Sequence, residues 1–431
     1  MIELSPEVLL VVSFGLGVLL GLPIAFCLGI SSLLTMWWIQ RPLSTVAQSM
    51  VDGMDTFSLM AIPFFVLAGQ VMARGGMARR MVDVSNLLVG PVRGGLGMVN
   101  IVASMFFGGI SGSSVADTSS IGSVLIPMMD EQGYDRDFSV CVTITSSTQG
   151  IVIPPSHNAI LYAFAAGGGA VSIKALFMAG VIPGVLVGLS LMVVTYIVAR
   201  VRNYPSQARP DWKTSLRIAV SSLPGMFTAV IIVGGILSGI FTATESSAIA
   251  VVYALLVTYL LYRDVGPGTL PRILLDSIKT IAMVMLLIGT AKAFGFVVTF
   301  LGIPERITAW MVGISDNPMV ILLLINLMLL VLGMLMDMAP LILITTPILL
   351  PVARQIGMDP VHFGIMMMLN LGIGLCTPPV GSTLFVGCAV GRTSIERVTR
   401  AIWPFYLAMI FVLLLVTYVP QLTLWLPKFV G

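Results

Sequence analysis

Ten apolar stretches run through the chain, at roughly residues 8–38, 56–73, 98–129, 138–164, 175–199, 218–262, 280–301, 319–351, 363–391 and 401–427, with short polar connectors between them. A membrane span needs about 20 apolar residues. Most of these stretches are therefore long enough to cross a bilayer, and several are too long for one crossing or are interrupted by Gly and Pro. Charge is correspondingly scarce: 10% of the 431 residues are charged and 57% hydrophobic, with a mean hydropathy of +1.04. An ordinary soluble domain carries about 25% charged residues. That excludes a cytosolic globular enzyme, a disordered chain and a nucleic-acid binder, and predicts an all-α polytopic protein embedded in lipid. The four cysteines, Cys27, Cys141, Cys376 and Cys388, lie in apolar segments without metal or redox spacing and read as small core residues.

Basic residues set the orientation, because cytoplasmic loops carry an excess of Lys and Arg. Residues 200–217 hold five of them and are the surest cytoplasmic loop. If 98–129 and 319–351 enter and return as hairpins, then 74–97, 130–137, 263–279 and 392–400 share that side. Together the five regions hold sixteen of the 22 Lys and Arg residues. The other side holds Arg41, Lys174, Arg306, Arg354 and Lys428, with Lys292 inside a span. The N-terminus falls on this second, periplasmic side if 8–38 holds two short spans broken at Gly21-Leu22-Pro23. Residues 74–97 are amphipathic, basic and too polar to span, which predicts a helix lying at the cytoplasmic interface.

The chain also repeats itself. Pro127 and Gly133 recur as Pro351 and Gly357, and Pro154-Pro155 as Pro378-Pro379, all at a separation of 224. Ser31-Ser32 pairs with Ser246-Ser247, and Gly75 with Gly302, at nearby separations. Two halves, about 7–200 and 219–427, share one plan, and the loop assignment gives them opposite orientation. Inverted repeats with Pro/Gly-interrupted helices in matching places mark secondary transporters.

Each half carries a hairpin interruption and a broken span: Gly108–Thr118 with Thr148–Asn158, and Gly333–Pro340 with Gly374–Thr383. A Pro-Pro pair removes two backbone donors and frees carbonyls. Irregular backbone survives at membrane depth only where protein or a watery cavity satisfies it. Freed carbonyls and nearby Ser, Thr and Asn oxygens are hard ligands for a small cation, and half-helix N-termini suit an anion. Few ionisable residues lie inside the apolar segments: Asp117, Glu245, Asp337 and Lys292. Such residues are functional candidates. Asp337 lies at the centre of the second hairpin, where it either faces a cation or proton or caps a half-helix. Asp117 has the same two readings, Glu245 reads as a helix-start cap, and Lys292 either snorkels or pairs within the bundle. His157 follows the first Pro-Pro-Ser break, and His362 follows a loop at the membrane edge. The sequence holds no Ser/His/Asp arrangement, phosphate loop or His/Cys cluster, so neither catalysis nor a transition metal is expected.

With these motifs the chain resembles the large membrane subunit of TRAP (tripartite ATP-independent periplasmic) transporters, the DctM-type permease. The similarity runs from Ala61-Ile62-Pro63-Phe64-Phe65, Gly94-Gly95-Leu96 and Ser111-Gly112-Ser113-Ser114 through Ile153-Pro154-Pro155-Ser156 and Ile182-Pro183-Gly184. In the second half it includes Gly239-Ile240-Phe241-Thr242 with Thr244-Glu245, Asp337, Asp359-Pro360 with His362-Phe363-Gly364, and Thr377-Pro378-Pro379-Val380-Gly381. Two departures stand out: Ala243 replaces a usual proline, and His157-Asn158 follow Ser156 where an apolar residue is common.

The resemblance implies an elevator-type fold of two inverted repeats in a bacterial inner membrane, importing a small organic anion with sodium as the coupling ion and no other cofactor. It implies one sodium site near Ser111, Gly112, Ser113, Pro155 and Asn158 and another near Gly333, Asp337, Thr377, Gly381 and Ser382. Ser114, Ser156, His157 and Thr383 are then the candidate substrate contacts. Implied partners are a small four-helix DctQ-type membrane subunit and a periplasmic DctP-type binding protein. On this plan 1–73, 175–301 and 392–431 form scaffold. Residues 74–97 and 302–318 form two arms, and 98–174 and 319–391 the transport hairpins and broken helices. The alternative is a stand-alone ion-coupled organic anion transporter or antiporter of the same inverted-repeat superfamily.

Overall fold

A computed structural model describes residues 5–429, apart from the Ile110 side chain. The first half begins with α1 (Pro6–Leu19), α2 (Ile24–Trp38), α3 (Ser44–Met54), α4 (Ala61–Arg74) and α5 (Met77–Val89). It continues through α6 (Gly95–Ser111), α7 (Ser114–Glu131), α8 (Arg136–Ser147), α9 (Gln149–Val152), α10 (His157–Ala165) and α11 (Ile173–Val201). The second half opens with α12 (Trp212–Leu237), α13 (Ala243–Leu256), α14 (Leu270–Phe300) and α15 (Ile303–Ile314). Then come α16 (Pro318–Leu335), α17 (Met338–Gln355), α18 (Pro360–Leu375), α19 (Ser382–Gly391), α20 (Ile395–Ala401), α21 (Trp403–Tyr418) and the short α22 (Gln421–Leu424). Among the described residues seven helices are long and apolar enough to cross a membrane singly, and α20 with α21, bent by 59°, make an eighth span if taken together.

The repeat is carried by local backbone chemistry. After α7 the chain turns at Gly133 (φ +80°), and after α17 at Gly357 (φ +81°). In both places the glycine and the residue after it donate back to the helix: Gly133 N to Asp130 O and Tyr134 N to Met129 O, matched by Gly357 N to Arg354 O and Met358 N to Ala353 O, all at 2.9–3.0 Å. This is the Schellman closure that a left-handed glycine permits. Pro154-Pro155 and Pro378-Pro379 are both cis. The arms need a one-residue correction. The left-handed glycine opening α5 is Gly76 (φ +75°), not Gly75, and it matches Gly302 (φ +65°) before α15.

The two faces sort as the basic residues predict. Arg74 pairs with Asp276 at 2.5 Å and Arg80 with Asp264, which joins 74–97 to 263–279. Gln207 N donates to Gly90 O (2.9 Å), and Arg93 donates to Asn203 (3.1 Å). Tyr204 donates to Asp135 (2.7 Å), and Thr393 to Asp137 (2.6 Å). All five basic regions therefore meet on one face. The Tyr204 hydroxyl, helped by Arg202, holds the Asp135 carboxyl below the usual carboxylate range. On the opposite face Arg306 pairs with Glu7 at 3.0 Å, which puts the N-terminal helix and the second arm together there. The break at Gly21-Leu22-Pro23 does separate two short helices: Gly21 is left-handed (φ +74°) and Pro23 precedes α2.

Candidate functional site

Both hairpins turn in two residues, far less than the interruptions read from sequence. Between α6 and α7 lie only Gly112 and Ser113, and between α16 and α17 only Met336 and Asp337. Each hairpin's first helix crosses a broken helix at a pair of glycines. A Cβ on Gly108 would sit 2.6 Å from Gly150 Cα, and one on Gly374 would sit 2.6 Å from Gly333 Cα and C. Backbone thus lies on backbone, a spacing that small residues allow between membrane helices. The crossings fix each hairpin tip at the level of a helix break, within the membrane. Polar pairs reinforce them: Ser104 with Ser146 at 3.1 Å in the first repeat, and Asn370 donating to Asn326 Oδ1 at 2.8 Å in the second.

In the first repeat Ser111, Gly112, Ser113, Asn158 and His157 converge. Asn158 Nδ2 donates to Gly112 O at 3.1 Å, and the His157 ring lies against Gly112, where a Cβ would be 2.6 Å from Nδ1. Ser113 caps α7, its hydroxyl accepting from Ala116 N at 3.3 Å. The capping reading of Asp117 is therefore corrected: Ser113 already occupies that role. Asp117 is fully buried on the next turn, and neither carboxylate oxygen has a hydrogen-bond partner. A lone buried carboxylate is strongly disfavoured unless it takes a proton or meets a cation. Pro155 is buried in the break, and Ser156 donates to Ile151 O at 2.5 Å, which ties that hydroxyl to its own loop.

The second repeat builds the corresponding cluster with different chemistry. Asp337 is the residue before α17, the counterpart of Ser113 at the 224 separation, yet its side chain caps no backbone N–H. It is exposed and accepts from Ser382 Oγ at 3.0 Å. Val380 N donates to Met334 O at 3.0 Å and pins the break to the hairpin tip. Gly381 faces the carbonyl oxygens of Leu375 and Thr377, 2.6 and 2.7 Å from where a Cβ would stand. Thr377, two residues beyond α18, donates back to Ile373 O at 2.8 Å.

The two clusters touch. Ser114 and Thr383 share a buried 2.8 Å hydrogen bond across the repeats, and Cys376 Sγ donates to Ile144 O at 3.2 Å. Fourteen residues from four separated segments thus come to one region, with Pro155 and Ser156 at its buried edge. Among the other candidates, Glu245 forms a capping box with Thr242 (Thr242 N to Oε2, 2.8 Å), as expected of a helix start. The His362 side chain is buried beside the Gly357–Asp359 loop, its Nε2 2.8 Å from Val416 O. Lys292 is exposed and reaches no carboxylate among the described residues; its ammonium lies 5.6 Å from the Phe164 ring centre. No group of three or more His, Cys, Asp or Glu among the described residues is placed to hold a metal ion. The crossing glycines stand within the four motifs, and Gly150 and Gly374 are 224 apart while Gly108 and Gly333 are 225 apart.

Comparison with known proteins follows the same lines. The family described as "Tripartite ATP-independent periplasmic transporter, DctM component" matches residues 11–422. The chain is 44% identical over 425 residues to the uncharacterized protein YgiK of Salmonella typhimurium, covering 98% of this chain and 97% of that one. It is 38% identical over 425 residues to the C4-dicarboxylate TRAP transporter large permease protein DctM of Rhodobacter capsulatus, covering 96% and 97%. Among solved structures it is similar to the YdaH transporter of Alcanivorax borkumensis, whose topology is described as unusual. That match has a TM-score of 0.65 at 12% identity and covers 95% of this chain and 97% of that one, a likeness of fold alone.

Proposed function

The chain belongs to the DctM component family of tripartite ATP-independent periplasmic transporters, and from that premise we propose that it is a sodium-coupled, elevator-type permease for a small carboxylate. As a member it is a multi-pass inner-membrane component of a three-part system. Its proposed partners are a separate four-helix DctQ-type subunit and a DctP-type periplasmic binding protein that delivers the ligand.

The observation that carries this reading is the Ser114–Thr383 hydrogen bond, which joins two inverted clusters built from hairpin tips and broken helices. Sodium takes hard oxygen ligands, and each cluster offers them: Ser111, Ser113, Asn158 and the Gly112 carbonyl in one, Asp337, Ser382 and the carbonyls around Gly381 in the other. A cation in each would order the tip beside it. The ordered tips would then present Ser114, Thr383 and half-helix N–H groups to a carboxylate, which helix N-termini favour. The carboxylate class rests on the C4-dicarboxylate relative. The hairpins and broken helices would move as the carrier against a scaffold made of the outer spans, with α5 and α15 as connecting arms.

The test is uptake by the permease reconstituted with both partners, after the ligand has been found by melting-shift screening of the binding protein against carboxylates. Uptake should require an inward sodium gradient, and Asp337→Asn should raise the half-saturating sodium concentration about tenfold or more, the equivalent of ~1.4 kcal/mol. Equal uptake with potassium in place of sodium, or an Asp337→Asn protein with unchanged sodium dependence, would refute the proposal. Uptake that persists without the binding protein would favour the stand-alone transporter instead.

A further inference from the structure

Outside the hairpin clusters, one basic side chain lies on the wall of a cavity with no acid beside it. Lys292 stands on α14 between the buried Ala291 and Ala293. Its stem rests on α3, where a Cβ on Gly53 would be 2.7 Å from Lys292 Cβ and 2.9 Å from Cγ. Its ammonium is 5.6 Å from the Phe164 ring centre, and it makes no ion pair or hydrogen bond among the described residues. The residue is exposed, and the cation–π contact leaves its positive charge open to an anion.

The space around it suits a small organic anion. A cavity of about 280 Å³ is lined by Phe164, Lys292, Phe296, Thr299, Leu343 and Pro347, apolar apart from the lysine and one threonine. A second, of about 480 Å³, shares Phe164 and carries Lys174, Ser172, Thr242 and Thr244. An apolar pocket with one or two placed polar groups is the usual form of a small-molecule site. Both cavities lie toward the face that holds Lys174 and Arg306. Phe164 is seven residues beyond the start of α10 and Leu343 six beyond Asp337, so they lie roughly 10 Å from the helix breaks on that side. Lys292 is eight residues, roughly 12 Å, inside the end of α14.

The charge has no counterpart in the other repeat. Aligned on the left-handed glycines Gly76 and Gly302, a separation of 226, Lys292 corresponds to Val66 of α4. Val66 carries no charge, so the lysine stands in one repeat only.

We propose that Lys292, with Lys174 at the rim, forms an access site on the periplasmic side that receives the carboxylate of an incoming organic anion before it reaches the hairpin tips. It rests on the transport reading above and adds a residue that sets how well a dilute anion is captured. A single fixed cation in a low-dielectric cleft raises the local concentration of anions and acts on capture more than on later steps.

The test needs a reporter cysteine, and the four native cysteines are buried. Thr299→Cys in the cavity should react faster with an anionic than with a cationic methanethiosulfonate. Adding Lys292→Gln should lower that rate ratio by about tenfold at low ionic strength, and Lys292→Arg should keep it. Succinate, as the probe carboxylate, should slow labelling of the Lys292 protein in nanodiscs of phosphatidylcholine. In uptake assays Lys292→Gln should raise KM about three- to tenfold with kcat nearly unchanged. A rate ratio unmoved by Lys292→Gln overturns the proposal, as does a changed ratio with unchanged KM. Protection that appears only with phosphatidylglycerol and never with succinate also overturns it, and assigns the lysine to a lipid headgroup. The labelling needs no transport, so wild-type protein that labels as expected yet shows no sodium-driven uptake would count against the transport reading alone. A Lys292→Gln protein that fails to fold leaves Lys292→Arg and Lys174→Gln, whose ratios are read in the same way.

Discussion

The glycine crossing in the second repeat gives a sharp perturbation. In Gly374→Ala a methyl would sit 2.6 Å from both Cα and C of Gly333, where ordinary contacts lie at 3.4–4 Å. The obstruction is backbone on an apolar helix, so no rotamer change relieves it. The two helices must part by about 1 Å, a strain of the overpacking kind worth ~1–3 kcal/mol. One residue along, the Val380 N to Met334 O bond would lengthen from 3.0 Å to about 4 Å and be lost, for another ~1 kcal/mol. Alanine's better helix propensity returns only ~0.5–1 kcal/mol. The net cost is about 1–3 kcal/mol, concentrated at the tip that carries Asp337. Gly15→Ala is the control, because nothing lies within 4 Å of its added methyl on α1. Melting in detergent, followed by tryptophan fluorescence, should fall by a few degrees (about 2–6 °C) for Gly374→Ala and stay level or rise for Gly15→Ala. Sodium-driven uptake should drop about tenfold in the first and not in the second. A Gly374→Ala protein with wild-type melting and uptake would refute the backbone-on-backbone account of the tip.

Two further outcomes follow from single contacts. Ser114→Ala and Thr383→Ala remove the two ends of one buried 2.8 Å hydrogen bond, so each should weaken substrate affinity severalfold. The double variant should be little worse than either, with a coupling of ~0.5–1.5 kcal/mol in a KM cycle. Asp135 is held below the ordinary carboxylate range by Tyr204 and Arg202, so its stabilisation is complete above about pH 4 and is lost as pH falls through its lowered value. Melting curves of wild type and Asp135→Asn taken from pH 7 down to 3 should therefore converge at the acid end, and parallel curves would remove the carboxylate from the explanation.

Legibility from sequence tracked locality. Helix breaks, caps and left-handed glycines are decided by a few neighbouring residues, so Gly21-Leu22-Pro23, Gly133, Gly357 and the Thr242–Glu245 capping box could be placed from the chain alone. The basic connectors could be sorted to one face because orientation depends on where charge stands along the chain, and the Arg74–Asp276 and Tyr204–Asp135 contacts follow. What could not be read was lateral packing. Which ring Lys292 lies against depends on a helix distant in sequence, whereas the Ser113 cap and the Ser156 bond to its own loop are local choices among several polar groups in one turn. His362 shows the same limit: α21, more than forty residues later, supplies the Val416 carbonyl that its ring meets.

The repeat is closer in backbone than in chemistry, and the difference bears on which cluster binds a cation more tightly. Ser113 and Asp337 hold the same place, at the start of the returning hairpin helix. Ser113 is neutral and already accepts from Ala116 N; Asp337 brings a formal charge and caps nothing. The second tip thus offers a cation the Asp337 carboxylate and the Ser382 hydroxyl beside it. The first tip offers carbonyl and side-chain dipoles, with Asn158 spending one amide hydrogen on Gly112 O. The carboxylate of Asp117 is sealed a turn below. Asp337 and the exposed Val380 are also within reach of solvent in this conformation, whereas Pro154 and Pro155 are not. In a protein that works as proposed, sodium would therefore bind first and most tightly at the second repeat, and the order would follow from one Ser-to-Asp difference between halves that otherwise share their turns, prolines and glycine crossings.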